Sequence, residues 1–124
     1  MTQLLSIVLP ASVSVNAMYR NVLKVGRVKT AVYKQWLAAA QAAVIEQKVK
    51  GRIEGLYTME IEVDRPDKRR RDLTNLIKGI EDFCVSMGFV EDDSLCERLQ
   101  IKWTAPIEGR PGPVRVWIVA TKGE

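Results

Sequence analysis

The sequence predicts an α+β fold, a small mixed sheet of about four to five strands with two main helices packed on it. Three observations predict it. Residues 57–63 alternate Tyr57, Met59, Ile61 and Val63 with Thr58, Glu60 and Glu62, the period of a half-buried strand. Residues 72–87 carry Leu73, Leu76, Ile77, Ile80, Phe83, Cys84 and Met87, which at about 100° per residue fall in one stripe about 120° wide. Strand-like and helix-like segments also interleave along the chain, with no internal repeat, low-complexity tract or linker.

In order, Leu4-Leu5-Ser6-Ile7-Val8-Leu9 reads as a strand stopped by Pro10, followed by a loop over 11–20. Residues 22–29 contain Val-Gly-Arg-Val and read as a small hairpin turning at Gly26. Thr30 is placed to cap a helix over about 31–50, ending before Gly51, with Val32, Trp36, Ala39, Ala43 and Val44 at roughly helical spacing. The alternating strand, 56–63, ends before Pro66, and the amphipathic helix over 72–87 is terminated by Gly88. Residues 95–104 and 114–121 read as an antiparallel pair of strands joined by the Pro- and Gly-rich loop 106–113.

A chain of 124 residues is expected to form one domain, 1–124. No apolar run approaches the ~18 residues that span a bilayer, and the apolar stretch at 4–9 lacks the basic flank and cleavage site of a signal peptide. Cys84 and Cys96 form neither a metal spacing nor a disulfide framework, so a reducing cytoplasm is expected. Nineteen Lys and Arg against fifteen Asp and Glu give a net charge of +4, compatible with a nucleic-acid partner without arguing for one. Histidine is absent, which excludes Ser-His and Cys-His nucleophile pairs and His-based zinc sites. Hydrolytic chemistry would therefore rest on carboxylates, a lysine and a hard cation with oxygen ligands.

Such residues are present. Lys68, Arg69, Arg70 and Arg71 are four adjacent cations directly before Asp72, and Glu91-Asp92-Asp93 supplies further carboxylates. Adjacent like charges repel, so phosphates are a natural partner for the run, although a solvated basic loop reads the same way. Arg20, Lys24, Arg27 and Lys29 form a second basic group around the expected hairpin, equally readable as surface charge or DNA contact. On the helical wheel Asp72, Asn75, Gly79 and Asp82 share a polar face with Lys78 on its flank. Asp72 also reads as a helix N-cap, and Glu81 and Asp82 as solvated charges. Asp72 and Asp93 flank a helix about 24 Å long at 1.5 Å per residue. Sharing a metal requires the fold, or a dimer interface, to bring them together.

The run Asp67-Lys68-Arg69-Arg70-Arg71-Asp72-Leu73-Thr74-Asn75-Leu76-Ile77-Lys78, followed by Met87-Gly88-Phe89-Val90-Glu91-Asp92-Asp93, resembles the signature of the RusA-type Holliday junction resolvases. Leu9-Pro10, Ser14, Asn16 and Tyr19-Arg20 match that family's first loop more loosely. The resemblance implies a homodimeric, mixed α/β crossover junction endodeoxyribonuclease. Such an enzyme resolves four-way DNA junctions in recombination and repair, using Mg²⁺, for which Mn²⁺ can substitute. The family is common in prophage regions. Carried over by position, Asp72, Asp92 and Asp93 are implied metal ligands, and Lys78 the essential lysine. Asn75 matches the motif asparagine and, with Lys68, Arg69, Arg70, Arg71, Arg20 and Arg27 read from their charge, makes up the expected DNA contacts. Thr74 departs from the pattern, standing where the family has a second aspartate. Asp92, Asp67 and Asp82 are, in that order, the acids that could compensate. Two rivals follow: an impaired or non-catalytic junction-binding protein of the same fold, and a basic domain contacting RNA or protein.

Overall fold

The computed structural model describes residues 3–110 and 112–121. Six strands and two helices run in the order β1 (Leu4–Leu9), β2 (Tyr19–Val22), β3 (Gly26–Lys29), α1 (Ala31–Gln47), β4 (Tyr57–Asp64), α2 (Ile77–Ser86), β5 (Cys96–Thr104) and β6 (Val114–Ala120). Short 3-10 turns occupy Val15–Ala17, Leu73–Leu76 and Asp93–Leu95. The main sheet has the order β1-β6-β4-β5, and β2-β3 form a separate hairpin. β4 pairs in parallel with β5 and antiparallel with β6, so the sheet is mixed as expected. Parallel neighbours need a crossover, and α2 provides it between β4 and β5.

β5 and β6, expected as an antiparallel pair, are not neighbours: β4 lies between them. The physical reason is burial. β4 alternates Tyr57, Met59, Ile61 and Val63 as fully inward residues, while β6 buries Val114, Val116 and Ile118, so the two most apolar strands take the centre. β5, with only partly buried side chains, takes the edge. Pro111, within the loop expected over 106–113, lies outside the described residues.

The other edge, β1, is covered by a side chain. Gln47 at the end of α1 accepts from the Val8 amide at 2.9 Å and donates to the Val8 carbonyl at 2.7 Å, so its amide pairs with the strand as a neighbouring strand would. α1 starts as expected, with the Thr30 hydroxyl accepting from the Tyr33 amide. It stops earlier than 50, because Lys48 adopts the left-handed conformation (φ 57°). Its buried face is Tyr33, Trp36, Ala40 and Val44, while Val32 and Ala39 are exposed and Ala43 is only partly covered. Trp36 sets that face: its indole donates to the Pro10 carbonyl at 3.3 Å and meets Phe83 of α2 edge-on at 5.6 Å.

The amphipathic segment starts differently from expectation. Residues 73–76 form a 3-10 turn and the α-helix begins only at Ile77. Gly79 is buried, near the Val13 carbonyl and Met18 sulfur, so it leaves the expected polar face and lets α2 approach the loop before the hairpin. Gly88 ends the helix at φ 77°, its amide on the Val85 carbonyl, with the Phe89 amide on Cys84. The hairpin, too, is shifted. The chain reverses over 23–25, with Lys24 at φ 64°, and Gly26 is already the first paired residue of β3. Its register extends back to Tyr19, whose ring lies under Arg27 and against Tyr33.

Three strands are tied together by one buried cation. Arg115 of β6 is 6% exposed. It donates to Glu62 (3.2 Å) and Asp64 (2.7 Å) of β4, to Thr104 of β5 (3.0 Å) and to the Gly112 carbonyl (2.9 Å). Asp64 also receives Arg110 at 2.8 Å and the Thr104 hydroxyl at 2.7 Å. Hydrogen bonding from Arg115 holds the Asp64 carboxyl down, from 3.8 to about 2.

Arg115→Met is therefore expected to destabilise the protein by about 3 kcal/mol in chemical denaturation, because it removes the shared cation of two half-buried carboxylates and leaves each with a single, more exposed one, Lys102 for Glu62 and Arg110 for Asp64. A depressed carboxyl contributes stability that is full above its unfolded value and lost as pH falls through its folded one. Unfolding midpoints should therefore drop between pH 3.8 and about 2 in the wild type, and less steeply in the variant.

Candidate functional site

The turn after Gly88 doubles back along α2. The Ile53 amide donates to Phe89 O at 2.8 Å, and the chain then returns through Asp92 to the turn at Asp93–Leu95. This reversal puts Asp93 beside the first turn of α2 and not at its far end. Lys78 Nζ lies 2.9 Å from Asp82 Oδ1 and 3.7 Å from Asp93 Oδ2. Lys78 and Asp82 meet because residues four apart share a helix face, a signal present in the sequence. Asp82, read from the sequence as a solvated charge, is thus a member of the site. These three residues, with Val85, Ser86 and Asp92, line a cleft of about 330 Å³.

The electrostatics follow from this packing. The hydrogen bond to Asp82, and then the charge of Asp93, raise the Lys78 pKa from 10.5, so its ammonium is charged throughout the neutral range. Glu81 is half-buried beside the same group. Burial, and then the Asp93 charge, raise its carboxyl above 4.5. Asp92 caps the short turn, accepting from the Ser94 amide at 3.1 Å and from the Ser94 hydroxyl, and these bonds lower its pKa from 3.8. Glu91 accepts from the Gly55 amide at 2.7 Å, tying the acidic turn to the start of β4.

Asp72 stands outside this cleft's lining, in the N-cap position of the turn Leu73–Leu76, with an extended backbone and no capping bond from its side chain. Its carboxylate instead accepts the Thr74 hydroxyl at 3.3 Å. The basic run divides. Arg71 is committed to Asp67 (2.6 Å), whose carboxyl is held down at about 2 chiefly by that bond, and Arg69 lies within 3.9 Å of the same acid. Among the described residues, Lys68 and Arg70 have no carboxylate partner, and both are exposed. Asn75 is half-buried in the turn. Arg20 is exposed on the hairpin, and Arg27 lies 3.8 Å over the Tyr19 ring.

Among the described residues no three His, Cys, Asp or Glu side chains gather into a group able to enclose a metal ion. The cleft offers three carboxylates, of which Asp92 is spent on Ser94 while Asp82 and Asp93 stand beside Lys78. That donor set fits a hard cation of the Mg²⁺ kind, which takes one or two carboxylates and completes its shell with water and phosphate oxygens. No helix of the described residues is long and apolar enough to cross a membrane.

Comparison with known proteins gives two findings. A family model described as endodeoxyribonuclease RusA matches residues 9–118. A curated protein, the crossover junction endodeoxyribonuclease rusA of Enterobacteria phage HK97, is 40% identical over 43 residues. That alignment covers 35% of this chain and 36% of the phage protein, so the chain matches about a third of its relative's length.

The raised Glu81 carboxyl has a stability consequence. An acid whose folded value lies above its unfolded one contributes stability at low pH that is lost as pH rises. Glu81→Gln should therefore raise the melting temperature at pH 7, and the gain should vanish below about pH 4.5, measured by thermal denaturation across pH.

Proposed function

The chain belongs to the RusA endodeoxyribonuclease family, and from that premise we propose that it is a homodimeric, structure-selective endonuclease that resolves four-way DNA junctions in recombination and repair. The observation that carries this reading is the ammonium of Lys78 held between Asp82 and Asp93 at the foot of a turn that begins with the basic run. A fixed cation aimed at a phosphate, with carboxylates able to bind a hard metal beside it, is what phosphodiester hydrolysis requires. In this reading Asp92 and Asp93 of the cleft, together with Asp72 at the start of the turn, would hold a divalent cation, Mg²⁺ or Mn²⁺. When bound, it would polarise a phosphate oxygen and lower the pKa of an attacking water.

The chain's own residues supply the rest. Lys78 stabilises charge developing on the phosphate, and Asp82 keeps that lysine protonated and oriented. Lys68, Arg69, Arg70 and Arg71 hold the DNA backbone, Asn75 positions the turn against it, and Arg20 and Arg27 extend the contact onto the hairpin. Such phosphate contacts give salt-dependent affinity without sequence information. A twofold dimer presents two identical sites to strands of like polarity, as paired symmetric cuts demand.

One observation favours a second reading, a junction-binding protein with impaired chemistry. Thr74 spends its hydroxyl on Asp72 in place of offering a further carboxylate, and no three-acid group forms among the described residues.

A synthetic four-way junction with Mg²⁺ or Mn²⁺ separates the two. We expect cleavage by the wild type, and a loss on the order of 10²-fold or more in Asp72→Asn and Lys78→Ala, with junction binding retained in mobility shifts. Undiminished cutting by either variant removes that residue from the chemistry. Binding without product, together with a large gain in Thr74→Asp, establishes the second reading. Lys68→Ala and Arg70→Ala should each lower the slope of log affinity against log salt by about 0.9, one phosphate contact apiece.

A further inference from the structure

A second cleft, of about 410 Å³, is lined in part by Arg71 and Leu76 of the segment that carries the site motif. It lies within the range of small-ligand sites, about 300–1,000 Å³. Its walls are mainly apolar and stiff, from Trp103, Pro66, Pro106 and Pro113, and its floor includes Leu76, which sits between Asp72 and Lys78 in sequence. Arg65 lies 4.8 Å over the Trp103 ring and holds its plane. Trp103 and Arg65 also line the adjoining cleft that contains Lys68. An aromatic ring stacked with a guanidinium, beside a lysine without an acidic partner, is therefore exposed to two grooves at once.

Two residues lining this cleft each carry a polar atom that is unused. Among the described residues, the Ser12 hydroxyl and Arg110 Nε, both buried, have no hydrogen-bond partner, and both residues line the cleft. Buried polar groups are nearly always satisfied, so a pair of them in one apolar cleft marks a place where a polar, flat ligand would complete the bonding. Arg110 is meanwhile fixed through Nη2 by Asp64 and the Ala105 carbonyl, so its Nε–H is held in position.

We infer that this cleft receives an unstacked DNA base. The base would pack against the Trp103–Arg65 stack, with Ser12 and Arg110 meeting its edge and Lys68 and Arg70 its flanking phosphates. Three features fit this occupant together: an aromatic platform, unsatisfied donors for a heterocycle edge, and cations for the backbone on either side. A base lodged there would sit next to the turn between Asp72 and Lys78, so the cleft would set which phosphate enters the site. The inference rests on the DNA-binding part of the proposed function and not on cleavage.

The test uses the full chain without divalent cation and a short single-stranded oligodeoxynucleotide bearing 2-aminopurine, alongside the same strand with an abasic position. Quenching of 2-aminopurine and tighter binding of the base-bearing strand are expected. Trp103→Ala should weaken that binding about fivefold to about 150-fold, while leaving abasic-strand binding unchanged; Trp103→Phe should restore most of it. Ala11→Trp, at an exposed lining position, should block the cleft without touching the stack and give the same loss, with circular dichroism confirming the fold. Equal binding of both strands by wild type and variants overturns this inference alone. Absence of binding to either strand while a four-way junction is still bound also overturns this inference alone, whereas absence of binding to the junction as well overturns the DNA reading and this inference with it.

Discussion

The guanidinium of Arg115 is the interaction on which the architecture around the site depends. It is buried where β4 and β5 end and β6 begins, and it satisfies Glu62, Asp64, Thr104 and the Gly112 carbonyl at once. A buried cation is tolerable only when its charge and its donors are matched, and here two carboxylates and two neutral oxygens do so. The consequence is positional. The basic run leaves the sheet immediately after Asp64, and the loop with Pro106 and Arg110 leaves after Thr104, so one cluster fixes the origin of both. Gly112 belongs to the same arrangement: its φ of 58° and the proximity of Val8, with which any Cβ would collide, allow no larger residue.

From that anchor the chain reaches the site through two reversals. The 3-10 turn Leu73–Leu76 lets the polypeptide enter α2 with Asp72 exposed at its start. Gly88 then turns the chain back, so that the acidic turn lies along the helix it has just left. Charges distant in sequence are thereby focused on one lysine. The same parallel β4–β5 crossover explains why the two clefts share a turn: the segment that must travel back across the sheet carries both the charged motif and Leu76.

Much of the fold was legible in the sequence because its signals are local. The strict alternation of Tyr57, Met59, Ile61 and Val63, the Thr30 cap and the stop at Gly88 each arise from backbone geometry within a few residues. The misread elements are those in which tertiary contacts outweigh propensity. α1 ends at Lys48, in the left-handed conformation that glycine favours, with the side chain of the preceding Gln47 pairing with β1. β4 separates β5 from β6 because the centre of a sheet goes to the strands that bury most, which no pairwise reading of neighbouring segments reveals.

For the candidate site, the sequence by itself determined the inventory: no histidine, a basic run, Lys78 at helical spacing from Asp82, and acids past the helix end. Those facts exclude histidine chemistry, and the long, regularly spaced motif already resembles the family to which the chain belongs. Only the tertiary structure decided which of these groups meet. It set Asp82 and Asp93 on Lys78, committed Arg71 to Asp67, half-buried Glu81 beside Asp93, and assembled Trp103, Arg65, Ser12 and Arg110 from four separate segments into one cleft. The physical reason is range. Side-chain spacing along one helix is fixed by its 3.6-residue period, whereas contacts between segments depend on where the sheet, pinned by Arg115, lets each loop begin.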